Sequence, residues 1–479
     1  MRGIISWGTC VPHWRLDRTS IAAVAGQGGG RGTRSVASFD QDAVTLATEA
    51  ARHALADAPT PDTLMFGTVS PPVADHTNAS VIHAALGLPA EVAALDLGAS
   101  VRSVIGGLGL AARTGGTVAL AAADLRTGRA GSAEESGGGD AGACVLVGED
   151  SPGAPVVAEV VAHASATAEI LDRWRIPGET VSRTWDEKFA EVALRPLVTD
   201  ALHRALASAG VSSSDVAVAV VDAPSARIGA ALARVVGAQR TADDLSATVG
   251  ITGAAHPLLC LANELERLAA EGDEGGTLVA LVHAGDGADV IVFRTTAALG
   301  AHRGGATVAD QLAVGAPVAY GRFLSWRGML EVEPPRRPEP QRVSAPAAWR
   351  AATWKYAFRG SRDTTTGSVH LPPSRVSADG ERTDEMEPAM LASAEGTVAT
   401  FTVDRVAYSP SPPIIFAVVD FDGGGRFPVE LCDLSPDEIA IGSRVALTFR
   451  RLHAADGIPN YFWKARLMRQ PVAVEAEEA

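Results

Sequence analysis

The sequence repeats one pattern of two apolar runs joined through a Gly-Asp turn. The first copy reads GGGDAGACVLVG (Gly137–Gly148), and the second reads TLVALVHAGDGADVIVF (Thr277–Phe293). Upstream of each copy, strand-like and helical stretches follow in the same order, including a glycine-containing apolar helix at 106–112 and at 253–261. A duplicated α/β unit of about 150 residues explains this arrangement. The repeat therefore predicts two similar halves, residues 1–150 and 151–330.

Within these halves, short apolar or β-branched runs alternate with longer Ala/Leu-rich stretches of helical periodicity, which is typical of βαβ units. Asp40 and Thr77 are predicted to cap helix N-termini, and Gly87 and Gly210 to end helices. The predicted strands are 63–68, 117–122, 216–221 and 277–282, and the predicted helices are 42–58, 78–86, 191–209, 226–236 and 256–270.

The pattern changes after residue 330. A Pro/Arg-rich linker (331–349) leads into one short predicted helix (346–358) and a polar stretch without apolar periodicity. Five short strand-like runs follow, separated by Gly, Pro and Asp turns, and such a series favours a small closed barrel. The predicted C-terminal regions are a linker and ribbon (331–388), a barrel (389–470) and an acidic tail (471–479).

Charge and cysteine content exclude several classes of protein. The net charge is −15, from 41 Lys and Arg against 56 Asp and Glu, which argues against a nucleic-acid binder. An apolar leader and a membrane-length apolar run are both missing, so we expect a cytoplasmic protein without a membrane partner. The cysteines are Cys10, Cys144, Cys260 and Cys432, which lie far apart, so a thiol metal cluster or a disulfide framework is not expected.

Three segments carry a resemblance to a known family. The opening GIISWGTCVPHWRLDR, the stretch DRWRIP (Asp172–Pro177) and the duplicated halves resemble the thiolase superfamily, in particular hydroxymethylglutaryl-CoA (HMG-CoA) synthases and ketoacyl synthase III. The remainder, after the joining sequence AYGRFLSWRG (Ala319–Gly328), resembles the zinc-ribbon and OB-fold proteins that accompany thiolases. The resemblance implies a duplicated αβαβα fold, then a rubredoxin-like ribbon and an OB-fold barrel.

The chemistry implied by this resemblance is Claisen condensation or its reverse, with a cysteine that takes the acyl group from CoA. Aligned with the family motifs, the cysteine position falls on Val101, the histidine on Asp222, the asparagine on Ile251 and the glutamate on Val69. Three of these four side chains are apolar, and a valine provides no thiolate. The usual condensation is therefore not expected at this site.

Other polar residues near these positions keep an enzymatic alternative open. Ser100 and Ser103 lie beside Val101, and His256 follows Ile251 by five positions. An Asp222–His256 pair, with Ser103, could supply acid/base groups for aldol or acyl-transfer chemistry. The other interpretation is that His256 caps a helix and the serines cap another.

The polar stretch before the barrel resembles a zinc ribbon whose four thiolates are missing. The corresponding positions hold Asp363, Thr366, Ser377 and Gly380. One carboxylate, two hydroxyls and a glycine do not make a structural zinc site, so we expect no metal.

The sequence favours an accessory role. The resemblance implies assemblies in which a synthase-like protein and an OB-fold protein surround an active thiolase, and this chain resembles those two accessory parts fused. We expect a homodimer or a hetero-oligomer with a catalytic thiolase, no cofactor, and an acyl-CoA or acyl-carrier substrate. Two alternatives remain: a stand-alone acyl-CoA enzyme that uses the residues above, and a divergent HMG-CoA synthase with a different alignment.

Overall fold

A computed structural model describes residues 1–98, 100–302, 305–333 and 335–469. These residues form two compact units, each of which is discontinuous in sequence. The first comprises Met1–Ala37, Asp42–Ala79 and Ala90–Phe323; the second comprises Ser38–Gln41, Ser80–Pro89 and the described residues from Leu324 on. No described helix is long and apolar enough to cross a membrane. The predicted acidic tail (471–479) lies outside the described residues.

Strands and helices alternate as far as residue 326, as the βαβ pattern predicts. The strands are β1 (Arg2–Cys10), β2 (Trp14–Asp17), β3 (Thr33–Val36), β4 (Thr63–Gly67), β5 (Ala93–Leu97), β6 (Val118–Leu125), β7 (Asp140–Glu149), β8 (Ala158–Thr167), β9 (Arg173–Trp174), β10 (Arg183–Thr184), β11 (Val218–Asp222), β12 (Arg240–Thr241), β13 (Leu278–Ala284), β14 (Gly287–Thr295) and β15 (Ala316–Pro317). The α-helices are α1 (Thr19–Ala25), α2 (Ala43–Leu55), α3 (Ala79–Ala85), α4 (Arg102–Ala111), α5 (Ala133–Gly137), α6 (Glu187–Ala209), α7 (Ala226–Val236), α8 (His256–Ala270), α9 (Val308–Ala313) and α10 (Tyr320–Trp326).

One ten-stranded sheet contains both halves of the repeat. Its order is β12-β11-β13-β14-β8-β1-β7-β6-β4-β5. Read outward from the β1–β8 contact, each half has the same succession, with β1, β7, β6, β4 and β5 matched by β8, β14, β13, β11 and β12. The parallel and antiparallel pairings also match: β4 is parallel to β6 as β11 is to β13, and the hairpins β6–β7 and β13–β14 are antiparallel. The predicted duplication is confirmed.

The helices form layers around this sheet. α2 packs on β1 and β7, and α6 packs on β8 and β14. Between the two halves lie α4 and α8, whose apolar residues share one core cluster with strands of both halves. The cluster includes Val104 and Leu108 from α4, and Leu258 and Leu261 from α8. This is the αβαβα arrangement that the family resemblance implies.

Helix ends follow ordinary capping chemistry, with one correction. Asp42, not the predicted Asp40, caps α2: its carboxylate accepts the backbone N–H of Thr45 at 3.0 Å, and the Thr45 hydroxyl in turn accepts the backbone N–H of Asp42. Gly210 ends α6 in the left-handed conformation (φ 68°), as predicted. The cap at Thr77 stays a prediction.

Asp40 belongs to the second unit, where it lies among buried cations. Its carboxylate is 3.0 Å from Lys464 Nζ and 3.2 Å from Arg450 Nη1. Burial opposes ionisation, but the two cations outweigh it and hold the pKa of Asp40 well below its ordinary value. The ion pairs with Lys464 and Arg450 thus explain why Asp40 does not cap a helix.

The second unit contains a small sheet and a closed barrel. Its remaining elements are α11 (Ala345–Arg350), α12 (Ala352–Ala357), β16 (Arg359–Asp363), β17 (Val369–His370), β18 (Met386–Met390), β19 (Glu395–Asp404), β20 (Ile414–Phe421), β21 (Arg426–Leu431), β22 (Arg444–Ala455) and β23 (Ile458–Leu467). The small sheet has the order β17-β16-β18, and the barrel closes as β19-β20-β21-β23-β22. All five predicted barrel strands are present. The single predicted helix at 346–358 is wrong: non-helical dihedrals at Ala351 divide it into α11 and α12.

Candidate functional site

A cavity of about 750 Å³ lies in the first unit. The four residues that occupy the family's catalytic positions, Val69, Val101, Asp222 and Ile251, all line it. The alignment therefore brings four segments that are distant in sequence to one place in the fold. Ser103 and His256 are not among the lining residues.

Each of the four residues lies at or after the end of a strand and before the next helix. Val101 stands at the N-terminal end of α4, Val69 follows β4, and Asp222 is the last residue of β11. Ile251 forms an isolated β-bridge with Gly138. The strand ends of an α/β sheet are where such folds place their ligands, so the cavity is in the expected position.

Asp124 on β6 fixes two of the lining segments. Its Oδ1 accepts four hydrogen bonds, from the backbone N–H of Val69 (2.7 Å) and Ser70 (3.2 Å) and from the hydroxyls of Thr68 (2.8 Å) and Ser70 (3.0 Å). Its Oδ2 accepts the backbone N–H of Ala254 at 2.7 Å. The carboxylate is fully buried, and these five donors satisfy its charge. Asp124 thus ties the loop carrying Val69 to the segment after Ile251, a role that the sequence patterns do not indicate.

Asp222 forms its hydrogen bond with His283, not with His256. Asp222 on β11 and His283 on β13 are opposite each other in the parallel register, and His283 Nδ1 is 2.6 Å from Asp222 Oδ2. With a carboxylate as acceptor, Nδ1 carries the proton and donates it. Both residues line the cavity, and both are about 2% exposed.

The second ring nitrogen of His283, Nε2, differs from Nδ1 in its contacts. Nε2 is buried and has no hydrogen-bond partner among the described residues. Gly285, which also lines the cavity, lies next to it: a Cβ at this position would come within 3.3 Å of Nε2. The ring edge that bears Nε2 therefore faces a residue without a side chain. Sequence reasoning missed His283, although two ionisable residues near the carboxyl ends of adjacent predicted strands were a usable signal.

His256 is a buried residue of the core with a different set of contacts. Its Nδ1 is 3.3 Å from the backbone nitrogen of Thr252, and its Nε2 is 3.7 Å from Cys260 Sγ. Burial lowers the pKa of His256, although the charges of Asp222 and Asp244 oppose this shift. Burial also raises the pKa of the Cys260 thiol well above its ordinary value. A neutral imidazole beside a protonated thiol is the expected state of this pair.

Ser100, beside Val101, belongs to a polar network. The Ser100 hydroxyl donates to Asp286 at 2.6 Å, and Asp286 is in the left-handed conformation (φ 50°) within the second Gly-Asp turn. Arg102 donates from Nε to Asp289 (2.7 Å) and from Nη1 to the Asp286 carbonyl (2.5 Å). No hydrogen bond joins Ser100 or Ser103 to a histidine among the described residues, so neither serine has the histidine base of a serine nucleophile.

Arginines line one wall of the cavity, partly from the DRWRIP segment. Arg173, on the β9–β10 hairpin, makes a two-pronged contact with Glu134 at 2.5 and 2.8 Å, and Arg126 lies 3.7 Å from the same carboxylate. Burial lowers the pKa of Arg126, and the charge of Arg173 adds to this effect. Arg175 donates to the backbone carbonyl of Val69. Arg173 and Arg126 thus share the single carboxylate of Glu134.

The four cysteine thiols lie outside the cavity lining. Cys10, Cys144 and Cys260 lie on β1, β7 and α8 as predicted, and Cys432 directly follows β21; all four are buried and none lines the cavity. Burial raises the pKa of Cys144 to about 12 and that of Cys432 well above its ordinary value. Cys144, Cys260 and Cys432 are therefore not expected to supply a thiolate nucleophile at neutral pH.

The four predicted ribbon positions lie in two short hydrogen-bonded turns of the second unit. Asp363 accepts the backbone N–H of Thr366 at 2.9 Å, and Gly380 (φ 77°) donates its N–H to the carbonyl of Ser377 at 3.0 Å. Arg382 lies 3.5 Å from Asp363 and 2.9 Å from Asp379, so a guanidinium links the two turns. Among the described residues, no group of three or more His, Cys, Asp or Glu side chains is arranged to hold a metal ion.

Comparisons with known proteins agree with the two-part architecture. A family model for the C-terminal OB-fold domain of ChsH2 matches residues 391–450. An HMG-CoA synthase of Pyrobaculum aerophilum is 29% identical over 353 residues, which cover 69% of this chain and 98% of that protein. A DUF35 domain-containing scaffold protein of Methanocaldococcus jannaschii is 29% identical over 122 residues, which cover 24% of this chain and 86% of that protein.

Solved structures share the fold. An HMG-CoA synthase complexed with CoA superposes with a TM-score of 0.57 at 17% identity, covering 68% of this chain and 89% of that one. The 3-oxoacyl-[acyl-carrier-protein] synthase III of Aquifex aeolicus gives 0.51 at 18% identity, covering 61% of this chain and all of that one. The chain joins a thiolase-like fold to a C-terminal OB-fold domain. The predicted thiolase-like fold, the OB-fold barrel and the resemblance to HMG-CoA synthases and ketoacyl synthase III are confirmed, and the ribbon resemblance stays a prediction.

Proposed function

We propose that this chain is a non-acylating, thioester-binding component of a thiolase-type system that forms or cleaves carbon–carbon bonds. The observation that carries the proposal is the cavity itself. The four segments that the family motifs identify line it, and Val101 stands at the helix start where a synthase site needs a thiolate.

The ligand follows from the walls of the cavity and from the relatives. Apolar side chains at Val69, Val101 and Ile251 suit an acyl chain, and the arginine wall suits the phosphates of CoA or of an acyl carrier. HMG-CoA synthases are among the relatives, and one solved structure of the same fold is a CoA complex. An acyl thioester is therefore the substrate class, and no cofactor is required.

The C-terminal domain supports an accessory role in an assembly. A relative with sequence similarity to this chain is described as a scaffold protein. Fusion of an OB-fold to a thiolase-like unit lacking the nucleophile is understandable if a separate, cysteine-bearing thiolase supplies acyl transfer. The assembly proposed is a homodimer of this chain or a hetero-oligomer with such a thiolase.

Intact-mass measurement tests the proposal. Incubation with acetyl-CoA should leave the protein mass unchanged, while calorimetric titration with acetyl-CoA or CoA should show binding. Co-expression with a thiolase from the same genome should yield a complex that survives size exclusion. A stable acetyl adduct on the isolated chain would overturn the proposal and favour a divergent HMG-CoA synthase; absence of thioester binding would also overturn it.

One observation favours the second candidate, an acyl-thioester enzyme acting through residues outside the family set. The Asp222–His283 pair lies on the cavity wall with one nitrogen open. This pair also fits within a non-acylating component, since proton transfer requires no acyl-enzyme.

A further inference from the structure

We infer that His283, oriented by Asp222, is a general base that removes a proton from the carbon next to the thioester carbonyl of a ligand bound in the cavity. This inference rests on the proposed function in one respect: the cavity must bind an acyl thioester. It assigns to this site a proton-transfer activity and a catalytic base that the sequence motifs do not contain.

The hydrogen bond with Asp222 determines which ring nitrogen of His283 carries the proton. Asp222 Oδ2 accepts the proton of Nδ1 at 2.6 Å, which fixes the tautomer in which Nε2 has a free lone pair. A carboxylate in this position also stabilises the imidazolium that forms when Nε2 takes up a proton. The carboxylate of Asp222 and the tautomer of His283 are thus already arranged for Nε2 to accept a proton.

The other ring nitrogen of His283, Nε2, is buried and unpaired within the part of the chain that the structure describes. His283 is 2% exposed, and its Nε2 has no hydrogen-bond partner among the described residues. A buried polar atom without a partner is costly, and such atoms occur where a ligand or a function completes them. The cavity lies beside this atom, since both His283 and the neighbouring Gly285 line it.

Gly285 lies beside Nε2 of His283 and has no side chain to contact it. A Cβ at Gly285 would be 3.3 Å from Nε2 and 3.5 Å from Cε1. The φ angle of Gly285 is not in the left-handed region, so its backbone does not require glycine. A methyl group at this position would press against the ring edge that bears Nε2, and glycine avoids that contact.

The proton transfer is balanced without a further reactant. The Cα–H bond of the thioester breaks, its electron pair enters the enolate, and the proton passes to His283 Nε2. Return of a proton from Nε2 to Cα restores the thioester. In D₂O the imidazolium exchanges its proton with solvent, so the restored thioester carries deuterium. Nothing is oxidised or reduced, and no thiolate takes part.

A second Asp–His pair in the same unit provides a matched control. His163 Nε2 is 3.3 Å from Asp289 Oδ1, and His163 Nδ1 also has no hydrogen-bond partner among the described residues. Neither residue of that pair lines the cavity. Both pairs join an imidazole to a buried carboxylate, but Asp289 also pairs with Arg102, and the pair at 163 and 289 lies outside the cavity lining.

The experiment measures deuterium incorporation into the methyl group of acetyl-CoA by the full-length protein in D₂O, followed by NMR. Wild-type protein should catalyse exchange well above the rate in buffer. H283Q should lower the rate by about 100-fold or more, while acetyl-CoA binding and thermal stability are retained. H163Q should exchange at the wild-type rate.

Asp222 is a positioning residue. Its variants distinguish a role in orienting His283 from a role in stabilising the fold. D222N should reduce the exchange rate at saturating acetyl-CoA by about 100-fold, without changing the concentration that gives half-maximal rate. D222E should recover part of that loss. A merely structural role would instead lower stability and binding together.

Gly285 gives a third, independent readout. G285A should lower the exchange rate about tenfold or more because its methyl group covers Nε2, with little change in thermal stability. Equal exchange by wild-type protein and H283Q, or acetyl-CoA that binds wild-type protein without exchanging, would overturn the inference and leave the proposed function intact. Failure of acetyl-CoA to bind would overturn both.

Discussion

Two buried aspartates organise two different regions of the molecule. In the first unit, Asp124 accepts donors from residues 56 positions before it and 130 positions after it, and so joins distant segments around the cavity. In the second unit, Asp363 accepts the backbone N–H groups of Thr365 and Thr366 at 2.8 and 2.9 Å, within its own turn. Its only described long-range ion pair is with Arg382.

The comparison shows that a buried aspartate can organise a ligand cavity in one region and a structural turn in another. Asp124 determines where the cavity loops lie, so its loss should affect both stability and ligand binding. Asp363 stabilises a local turn at a position where the ribbon resemblance places a metal ligand, so its loss should affect stability alone. Both regions lack the cysteines that the resemblance implies, but in the first the residues at the catalytic positions line a cavity.

The largest effect is expected from Asp124→Asn. The amide has one acceptor oxygen for the five donors and brings its own N–H groups towards them, so we expect a loss of about 3 kcal/mol in the free energy of unfolding. Denaturant unfolding measures this, and calorimetry should show weaker acetyl-CoA binding. Thr68→Val, which removes one hydroxyl donor, should cost about 1 kcal/mol. Equal losses for the two variants would contradict the central role of Asp124.

Val101→Cys tests the cavity as a site for a thiolate. A cysteine at the start of α4 should have a lowered pKa and access to solvent through the cavity. We expect alkylation by iodoacetamide about 100-fold faster than for Val104→Cys, whose side chain is fully buried in the core. Acetyl-CoA should protect the cysteine at 101. Similar alkylation rates would show that Val101 is not on an accessible wall.

Arg382→Met tests whether a guanidinium holds the ribbon turns together. Asp363 is buried, so loss of its cation partner should lower the melting temperature by a few degrees in calorimetry. Arg375→Met is the matched control because Arg375 also pairs with an aspartate, Asp384 at 2.6 Å, but both side chains are exposed. No measurable shift is expected for that control. Deuterium exchange into acetyl-CoA should be unchanged in both variants.

The smallest effect concerns the pH dependence of Asp363. Its hydrogen bonds from Thr366 and Thr365, against a smaller effect of burial, hold the pKa of this carboxyl at about 2. In the unfolded chain it titrates near 4, so its contribution to stability is complete above about pH 4 and is lost as the pH falls towards 2. The difference in melting temperature between wild type and Asp363→Asn should shrink over that range. A constant difference would mean that the native carboxyl has no lowered pKa.

Local patterns were sufficient to predict much of the fold. The helices at 226–236 and 256–270 have the predicted bounds, because apolar periodicity and turn residues mark them directly. The repeat predicted the matched strand orders. The family motifs also identified Val69, Val101, Asp222 and Ile251, which the fold brings to one cavity.

What the sequence did not predict depends on contacts between distant segments. Asp222 and His283 are 61 positions apart and meet only because β11 and β13 are neighbours in parallel register. Asp40 follows an ordinary capping pattern, but Lys464 and Arg450 provide stronger partners for its charge. Pairing of this kind is decided by tertiary structure, and periodicity contains no information about it.

The matched strand orders also have a consequence for how this protein evolved. β4 and β6 pair from Thr63 opposite Val118 to Gly67 opposite Ala122, as β11 and β13 pair from Val218 opposite Val279 to Asp222 opposite His283. By this register, Gly67 and Ala122 occupy in the first half the positions that the acid and the imidazole occupy in the second. Duplication gave one ancestral strand pair two descendants, and they diverged in chemistry while their pairing was retained. A shared backbone geometry could therefore be inherited by both copies, while the ionisable pair became specific to one.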